Sequence, residues 1–150
     1  MAGAERRKVI VDQDAFGPGG SNMQSLLLLI QSPDVEVLGI TIVSGDGWND
    51  ENVAHTLRML ELIGRTDIPV YSGATFPLVN SQEATKRWEA IHGKLVYKGA
   101  WMENEPDGAI KRPRRHGPFE MPPLMEGQPQ AKPADGIAAD FLVRLTVSAR

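Results

Sequence analysis

The chain has 150 residues, of which 41% are hydrophobic and 23% are charged. This length and composition suit a single globular domain spanning residues 1–150. The formal net charge of -3 excludes the broad positive surface typical of nucleic-acid-binding proteins, and no apolar stretch is long enough to span a membrane. Because the chain has no cysteine, disulfides and thiolate sites are excluded. With no secretory apolar region near its N-terminus, we expect a cytoplasmic protein.

The first elements alternate between strand and helix patterns. The apolar run from Val9 to Val11 predicts a strand, and Asn22 to Gln31 predicts a helix with Ser21 as its N-cap. Val35 to Val43 is largely apolar and β-branched. This composition is typical of a strand whose sheet is covered on both faces.

A second helix and a third strand follow. Asn52 to Ile63 places apolar side chains at helical spacing, and Gly64 suits the C′ position after that helix. Asp67 to Gly73 predicts a short strand. Three strands with two intervening helices predict an α/β fold, with a mostly parallel, Rossmann-like sheet, flanking helices and right-handed crossovers.

The second half of the chain has weaker patterns. Residues 74–133 form a long segment rich in proline, glycine and charge, in which Gln82 to Ile91 shows a weak helical pattern. Its length predicts an active-site flap, an insertion or a mobile segment. The basic run from Lys111 to His116 has no interleaved aromatic residue, so we favour a solvated loop over a phosphate or nucleic-acid patch. Ala134 to Leu145 predicts a final helix.

Two carboxylates mark the end of the first strand. Asp12 and Asp14 are one residue apart, where the apolar run gives way to a turn rich in glycine and proline. In open α/β sheets, ligands bind at the carboxyl ends of the strands. The pair therefore predicts a catalytic or metal site in which both carboxylates share one cation.

Two families share a strand that ends in Asp-x-Asp. Haloacid-dehalogenase-like phosphatases use the pair around magnesium, and residues 42–45 (IVSG) resemble their second motif, but Ala15-Phe16 departs from their pattern. The inosine-uridine-preferring nucleoside hydrolases have Asp-x-Asp-x-Gly-x-Asp-Asp before a helix. Residues 12–27 (DQDAFGPGGSNMQSLL) resemble that signature with a slightly longer turn.

The resemblance to the nucleoside hydrolases continues along the chain, over residues 8 to about 145. Residues 40–46 (ITIVSGD) resemble the family's second strand and turn, and residues 53–64 resemble the helix that follows. Residues 68–74 (IPVYSGA) are similar to its third strand, and Ile91-His92-Gly93 resembles its His-Gly flap motif more loosely. This ordered succession favours the nucleoside hydrolases over the phosphatases.

The resemblance implies hydrolysis of the N-glycosidic bond of a ribonucleoside to ribose and free base. It implies a calcium ion that grips the ribose diol, and a bound water as the nucleophile. Asp14 matches the family's metal ligand and general base, and Asp12 matches the first acid, which supports the metal site. The substrate is then a small molecule, with no nucleic-acid or membrane partner.

Other positions depart from the family's pattern. Ser21 and Asn22 stand where the family has two aspartates, one contacting ribose and one binding calcium; helix capping is the alternative. Asp46 stands where an asparagine usually meets the sugar hydroxyls, and turn formation is the alternative. His92 corresponds to a residue near the leaving base, although a surface position is favoured, and His55 is expected to be structural or exposed.

The resemblance covers the N-terminal half of the family fold. The later half of that fold supplies further calcium ligands and a histidine near the base, so we expect a truncated domain with an incomplete site and weak or absent activity. A non-catalytic interaction module is an alternative function, because an incomplete sheet edge can pair with another chain. Homo-oligomerisation is compatible with such an edge.

Overall fold

The computed structural model describes residues 5–102 and 116–148. In this part of the chain, three strands, four α-helices and one 3-10 turn follow in the order β1 (Arg7–Gln13), α1 (Ser21–Gln31), β2 (Val35–Ile42), α2 (Asn49–Leu62), β3 (Val70–Ser72), α3 (Gln82–His92), the 3-10 turn (Gly99–Trp101) and α4 (Ala138–Ser148). None of the helices described is both long and apolar enough to cross a membrane.

The three strands form one parallel sheet in the order β1-β2-β3. Asp12 of β1 pairs with Thr41 of β2, and Thr41 pairs in turn with Tyr71 of β3. The intervening helices α1 and α2 connect successive strands, as parallel pairing requires. The predicted α/β fold with a parallel sheet is therefore confirmed.

The main core lies between one face of the sheet and the helices α1 and α2. Because successive side chains of a strand point to opposite faces, only alternate strand residues enter this core. It is built from Val11, Ile40, Ile42 and Val70 of the strands, Met23, Leu26 and Ile30 of α1, and Val53, Leu57 and Leu60 of α2. This packing aligns the strands and sets where their carboxyl ends meet.

Helix α4 packs on part of the opposite face of the sheet, against β3 and over Gly39 of β2. The ring of Phe141 stacks on Tyr71 with a centroid separation of 4.1 Å. It also lies directly over Gly39, where an added Cβ would come within 2.5 Å of the ring. A glycine in β2 therefore makes room for the aromatic side chain that docks α4.

The predicted C′ position of Gly64 after α2 is confirmed, and the predicted N-cap of α1 is wrong. Gly64 adopts a φ of +68° after α2, and Arg65 N–H donates to Leu60 O at 2.8 Å, as in a Schellman ending. Ser21 is not the N-cap of α1. The cap is Gly20, whose carbonyl accepts from Gln24 N–H, and Ser21 is already helical.

Two helix starts also differ from the predictions. Helix α2 begins at Asn49 rather than Asn52, because its first turn is held by polar contacts that apolar spacing does not reveal: Asn49 N–H donates to Ser44 Oγ at 2.8 Å. Helix α4 begins at Ala138 rather than Ala134. Ala134 N–H instead donates to Val70 O of β3 at 2.8 Å.

The segment before α4 is fastened to α2. Glu61 of α2 accepts the backbone N–H groups of Gln130 and Ala131, each at 2.7 Å, and pairs with Arg58 at 3.0 Å. The Ala131 N–H and then the Arg58 guanidinium lower the pKa of the Glu61 carboxyl. This end of the predicted flap is thus packed on the core. Residues 111–115 of the basic run Lys111–His116, for which a solvated loop is predicted, lie outside the described residues.

Candidate active site at the carboxyl ends of the strands

Asp14 lies immediately beyond β1 and is held by two hydrogen bonds. Its Oδ1 accepts from Nδ2 of Asn22 at 2.5 Å, and its Oδ2 accepts from the backbone N–H of Asp46 at 2.9 Å. A Cβ added at Gly45 would fall 2.0 Å from Oδ2, so only glycine allows the turn after β2 to come this close. The ends of β1 and β2 together fix the orientation of the Asp14 carboxylate.

Asn22 and Ser21 lie in the first turn of α1 and have different surroundings. Asn22 is half-buried and contacts Asp14 through its side chain, whereas Ser21 is exposed. No side-chain hydrogen bond caps the start of α1. The structure therefore brings Asn22 to Asp14, and it gives neither residue the capping role that the sequence left open.

Asp12 lies on β1 itself and contacts the neighbouring strand. Its Oδ1 accepts from Thr41 Oγ1 at 2.5 Å, and the Thr41 side chain is fully buried, while Asp12 is exposed. The pairing of Asp12 with Thr41 in the sheet register explains this contact. One of the two strand-end carboxylates is thus tied to β2 and the other to the turn that follows it.

Asp46 contacts a side chain that sequence reasoning did not single out. Tyr97 Oη donates to Asp46 Oδ1 at 2.5 Å. Tyr97 lies between α3 and the 3-10 turn, in the segment predicted to be a flap. The only sequence signal was its position shortly after the loosely matched His-Gly motif, and nothing local predicts a partner 51 residues away.

The residues around Tyr97 are anchored on both sides. Ala100 N–H donates to Gly45 O at 2.7 Å, and Leu95 N–H donates to the Glu89 carboxylate at 3.0 Å. The Lys98 ammonium lies 3.3 Å from the same carboxylate. The Leu95 N–H and then Lys98 lower the pKa of Glu89, so this carboxylate holds the segment as an anion.

A cleft of about 660 Å³ opens beside the strand ends. Asp14 and Asp46 lie on its wall together with the aromatic side chains Trp48, Phe76, Tyr97 and Trp101. Trp48 and Phe76 meet edge to face with a centroid separation of 5.7 Å. A cavity of this size, with carboxylates at one side and aromatic rings at another, suits a small ligand that has a polar part and a flat apolar part.

Neither His92 nor His55 lines the cleft that contains Asp14. His92 is the last residue of α3; it is exposed, packs its ring 4.7 Å from that of Trp88, and is not among the residues that line the cleft. His55 is buried in α2, so the exposed alternative was wrong. Its Nδ1 contacts Glu126, and its ring meets Phe16 edge to face.

The donor set at the strand ends consists of hard oxygen atoms. Asp12 and Asp14 supply carboxylates. The NH2 group of Asn22 faces Asp14, so Asn22 supplies its amide oxygen only when the side-chain amide is flipped. Calcium prefers six to eight such oxygens. These residues therefore fit part of a calcium shell. Within residues 5–102 and 116–148, no three Asp, Glu or His side chains cluster as a complete metal site.

Comparisons with known proteins identify the family. The model of the inosine-uridine preferring nucleoside hydrolases matches residues 9–150. Over 118 residues the chain is 31% identical to probable uridine nucleosidase 2 of Arabidopsis thaliana, covering 79% of this chain and 34% of that protein. It is 38% identical over 72 residues to the pyrimidine-specific ribonucleoside hydrolase RihA of Photobacterium profundum, covering 48% of this chain and 22% of that protein.

A solved structure shows the same fold. A plant nucleoside hydrolase, PpNRh1, aligns with a TM-score of 0.57 and 21% identity, over 94% of this chain and 36% of its own. The chain thus spans about a third or less of the length of these relatives. The match decides between the two families that the Asp-x-Asp strand end left open. The chain belongs to the inosine-uridine preferring nucleoside hydrolase family.

Proposed function

We propose that this protein hydrolyses the N-glycosidic bond of a ribonucleoside, giving ribose and a free base. The observation that carries the proposal is the Asp14 carboxylate, fixed by Asn22 and by the Asp46 N–H at the wall of a cleft with aromatic sides. Family membership supports the same reaction class. The polar strand ends suit a sugar, and the rings of Trp48 and Phe76 suit a flat base.

Asp14 acts as the general base in this proposal. It orients a water molecule and accepts its proton while the water oxygen bonds to the anomeric carbon. The bond from that carbon to the base nitrogen breaks, and the base leaves with the electron pair and takes up a proton from solvent. The sugar passes through an oxocarbenium-like state, which a nearby carboxylate stabilises.

Asp46 and Ser21 are the residues proposed to contact the sugar. Asp46 lies on the cleft wall and accepts hydrogen bonds, so it suits the ribose hydroxyls. Ser21 is exposed at the start of α1 and next to Asn22, where its hydroxyl is accessible to a ligand. A role for His92 near the leaving base remains a prediction.

Calcium is the proposed cofactor, with Asp12, Asp14 and Asn22 as its ligands from this chain. The ion would supply positive charge that binds the ribose diol and polarises a water molecule. An additional carboxylate should tighten the site, because a divalent ion gains more from an anion than from an amide. We expect Asn22→Asp to bind calcium about tenfold more tightly in a calorimetric titration.

A matched control for that titration is Gln24→Glu, which adds the same charge on the exposed side of α1. This variant should leave the calcium affinity within about twofold of the unaltered chain. Equal affinities for Asn22→Asp and the unaltered chain would refute Asn22 as a ligand position.

The reaction itself is tested by measuring free base released from inosine and from uridine, with calcium present. The unaltered protein should release base and ribose in equal amounts, and Asp14→Asn should reduce the rate by at least about a hundredfold. Asp34→Asn, an exposed carboxylate in the turn before β2, should retain the full rate. Absence of base release by the unaltered protein, under conditions where a full-length relative is active, would refute the proposed activity.

A further inference from the structure

The segment after α3 reaches the strand-end site through Tyr97. Its hydroxyl donates to Oδ1 of Asp46, and the N–H of Asp46 donates in turn to Oδ2 of Asp14. Tyr97 and Asp46 are 51 residues apart in the chain, so the tertiary fold makes this contact. Tyr97, Asp46 and Asp14 therefore form a continuous hydrogen-bonded row along the cleft.

The backbone on the C-terminal side of Tyr97 is held against the turn that carries Asp46. Gly99 has a φ of +56°, and a Cβ at this position would fall 2.1 Å from Gly45 O. Ala100 N–H donates to that same carbonyl at 2.7 Å. Because the segment is fixed beside Asp46, the phenol is ordered before a ligand arrives, which lowers the entropy cost of binding.

Because residue 46 is an aspartate, the Tyr97 hydroxyl can fix the orientation of its carboxylate. A carboxylate is an acceptor only, with about four lone-pair sites, so it needs donors from elsewhere to fix its orientation. The Tyr97 hydroxyl is such a donor and occupies one of these sites. Asp46 also lies on the cleft wall, where its carboxylate can accept from donating hydroxyl groups such as those of a ribose ring.

We propose, on the basis of the function proposed above, that Tyr97 is a positioning residue for the sugar. Its hydroxyl holds the Asp46 carboxylate in the orientation in which that carboxylate accepts from the ribose hydroxyls. Tyr97 acts through Asp46 and takes no part in bond breaking. Its removal therefore weakens sugar binding and leaves the chemical step nearly unchanged.

The kinetic test uses Tyr97→Phe, which removes the hydroxyl and keeps the ring. The KM for uridine and the Kd for D-ribose should rise by roughly three- to tenfold, with kcat changed by less than about twofold. Tyr71→Phe is the matched control, because Tyr71 is the other tyrosine of the chain and stacks on Phe141. In an Asp46→Ala background, Tyr97→Phe should cause no further loss.

A second readout does not depend on catalysis. The two tyrosines are labelled as 3-fluorotyrosine, and their fluorine resonances are assigned from Tyr97→Phe and Tyr71→Phe. Asp46→Ala should shift the Tyr97 resonance and leave that of Tyr71 in place; Asp46→Asn serves if the alanine variant does not fold. D-ribose added with calcium should also shift the Tyr97 resonance.

The outcomes separate this inference from the proposed activity. If Asp46→Ala leaves the Tyr97 resonance in place, or D-ribose does not bind, the inference is overturned. Unchanged KM and Kd in Tyr97→Phe overturn it as well, even when the unaltered protein is active. If D-ribose binds more weakly to Tyr97→Phe but the unaltered protein releases no base, the positioning role stands and the proposed hydrolysis fails.

Discussion

The sheet with its two crossover helices and the segment from residue 74 to residue 102 are stabilised in different ways. In the first region, large apolar side chains such as Leu26 and Leu60 are 0% and 1% exposed. In the second, Leu78 and Val96 are 101% and 91% exposed, and the backbone is held by polar contacts with Gly45 and Glu89. The first region therefore provides rigidity. The second completes the cleft while burying little apolar area.

The largest expected effect is a loss of stability when the core of the first region is altered. Leu60→Ala should lower the free energy of unfolding by about 2–5 kcal/mol, because it leaves a cavity between α2 and the sheet. Leu78→Ala, in the second region, should change it by less than about 0.5 kcal/mol. Denaturant unfolding measures both variants, and equal losses would break the distinction between the two regions.

The contact between the strand ends is tested by Gly45→Ala. The new methyl group would collide with the Asp14 carboxylate and displace it, so base release should fall by roughly a hundredfold while the fold is retained. Gly19→Ala is the control, since no atom lies within 4 Å of a Cβ at that position. Full activity in Gly45→Ala would show that the orientation of Asp14 does not matter.

The smallest expected effect concerns the polar anchoring of the second region. The pKa of Glu89 is lowered from 4.5 by its contacts, so this carboxylate contributes stability that is present above pH 4.5 and is lost as the pH falls through the lowered value. Hydrogen-exchange protection of the Leu95 amide should therefore fall on acidification below pH 4.5. In Glu89→Ala, which removes the acceptor, protection should be low throughout and independent of pH.

Much of the first region could be predicted from the sequence. The apolar runs predict the strands, and the end of the run Val9–Val11 just before the two carboxylates predicts Asp14 at a strand end. The start of α2 was missed because Asn49 and Asn52 are buried polar residues whose hydrogen bonds with distant carbonyls are invisible to periodicity. Tyr97 was missed for a related reason, since an exposed aromatic residue acquires its role only from a partner brought close by the fold.

The proposed function requires that the sugar binds where Asp14 and Asp46 meet. Titration of the nitrogen-15-labelled protein with D-ribose, in the presence of calcium, tests this claim by nuclear magnetic resonance. The backbone amides of Gly45 and Asp46 should shift in the unaltered protein, and these shifts should be lost in Asp14→Asn. Shifts confined to residues outside the cleft, or equal shifts in Asp14→Asn, would contradict the claim.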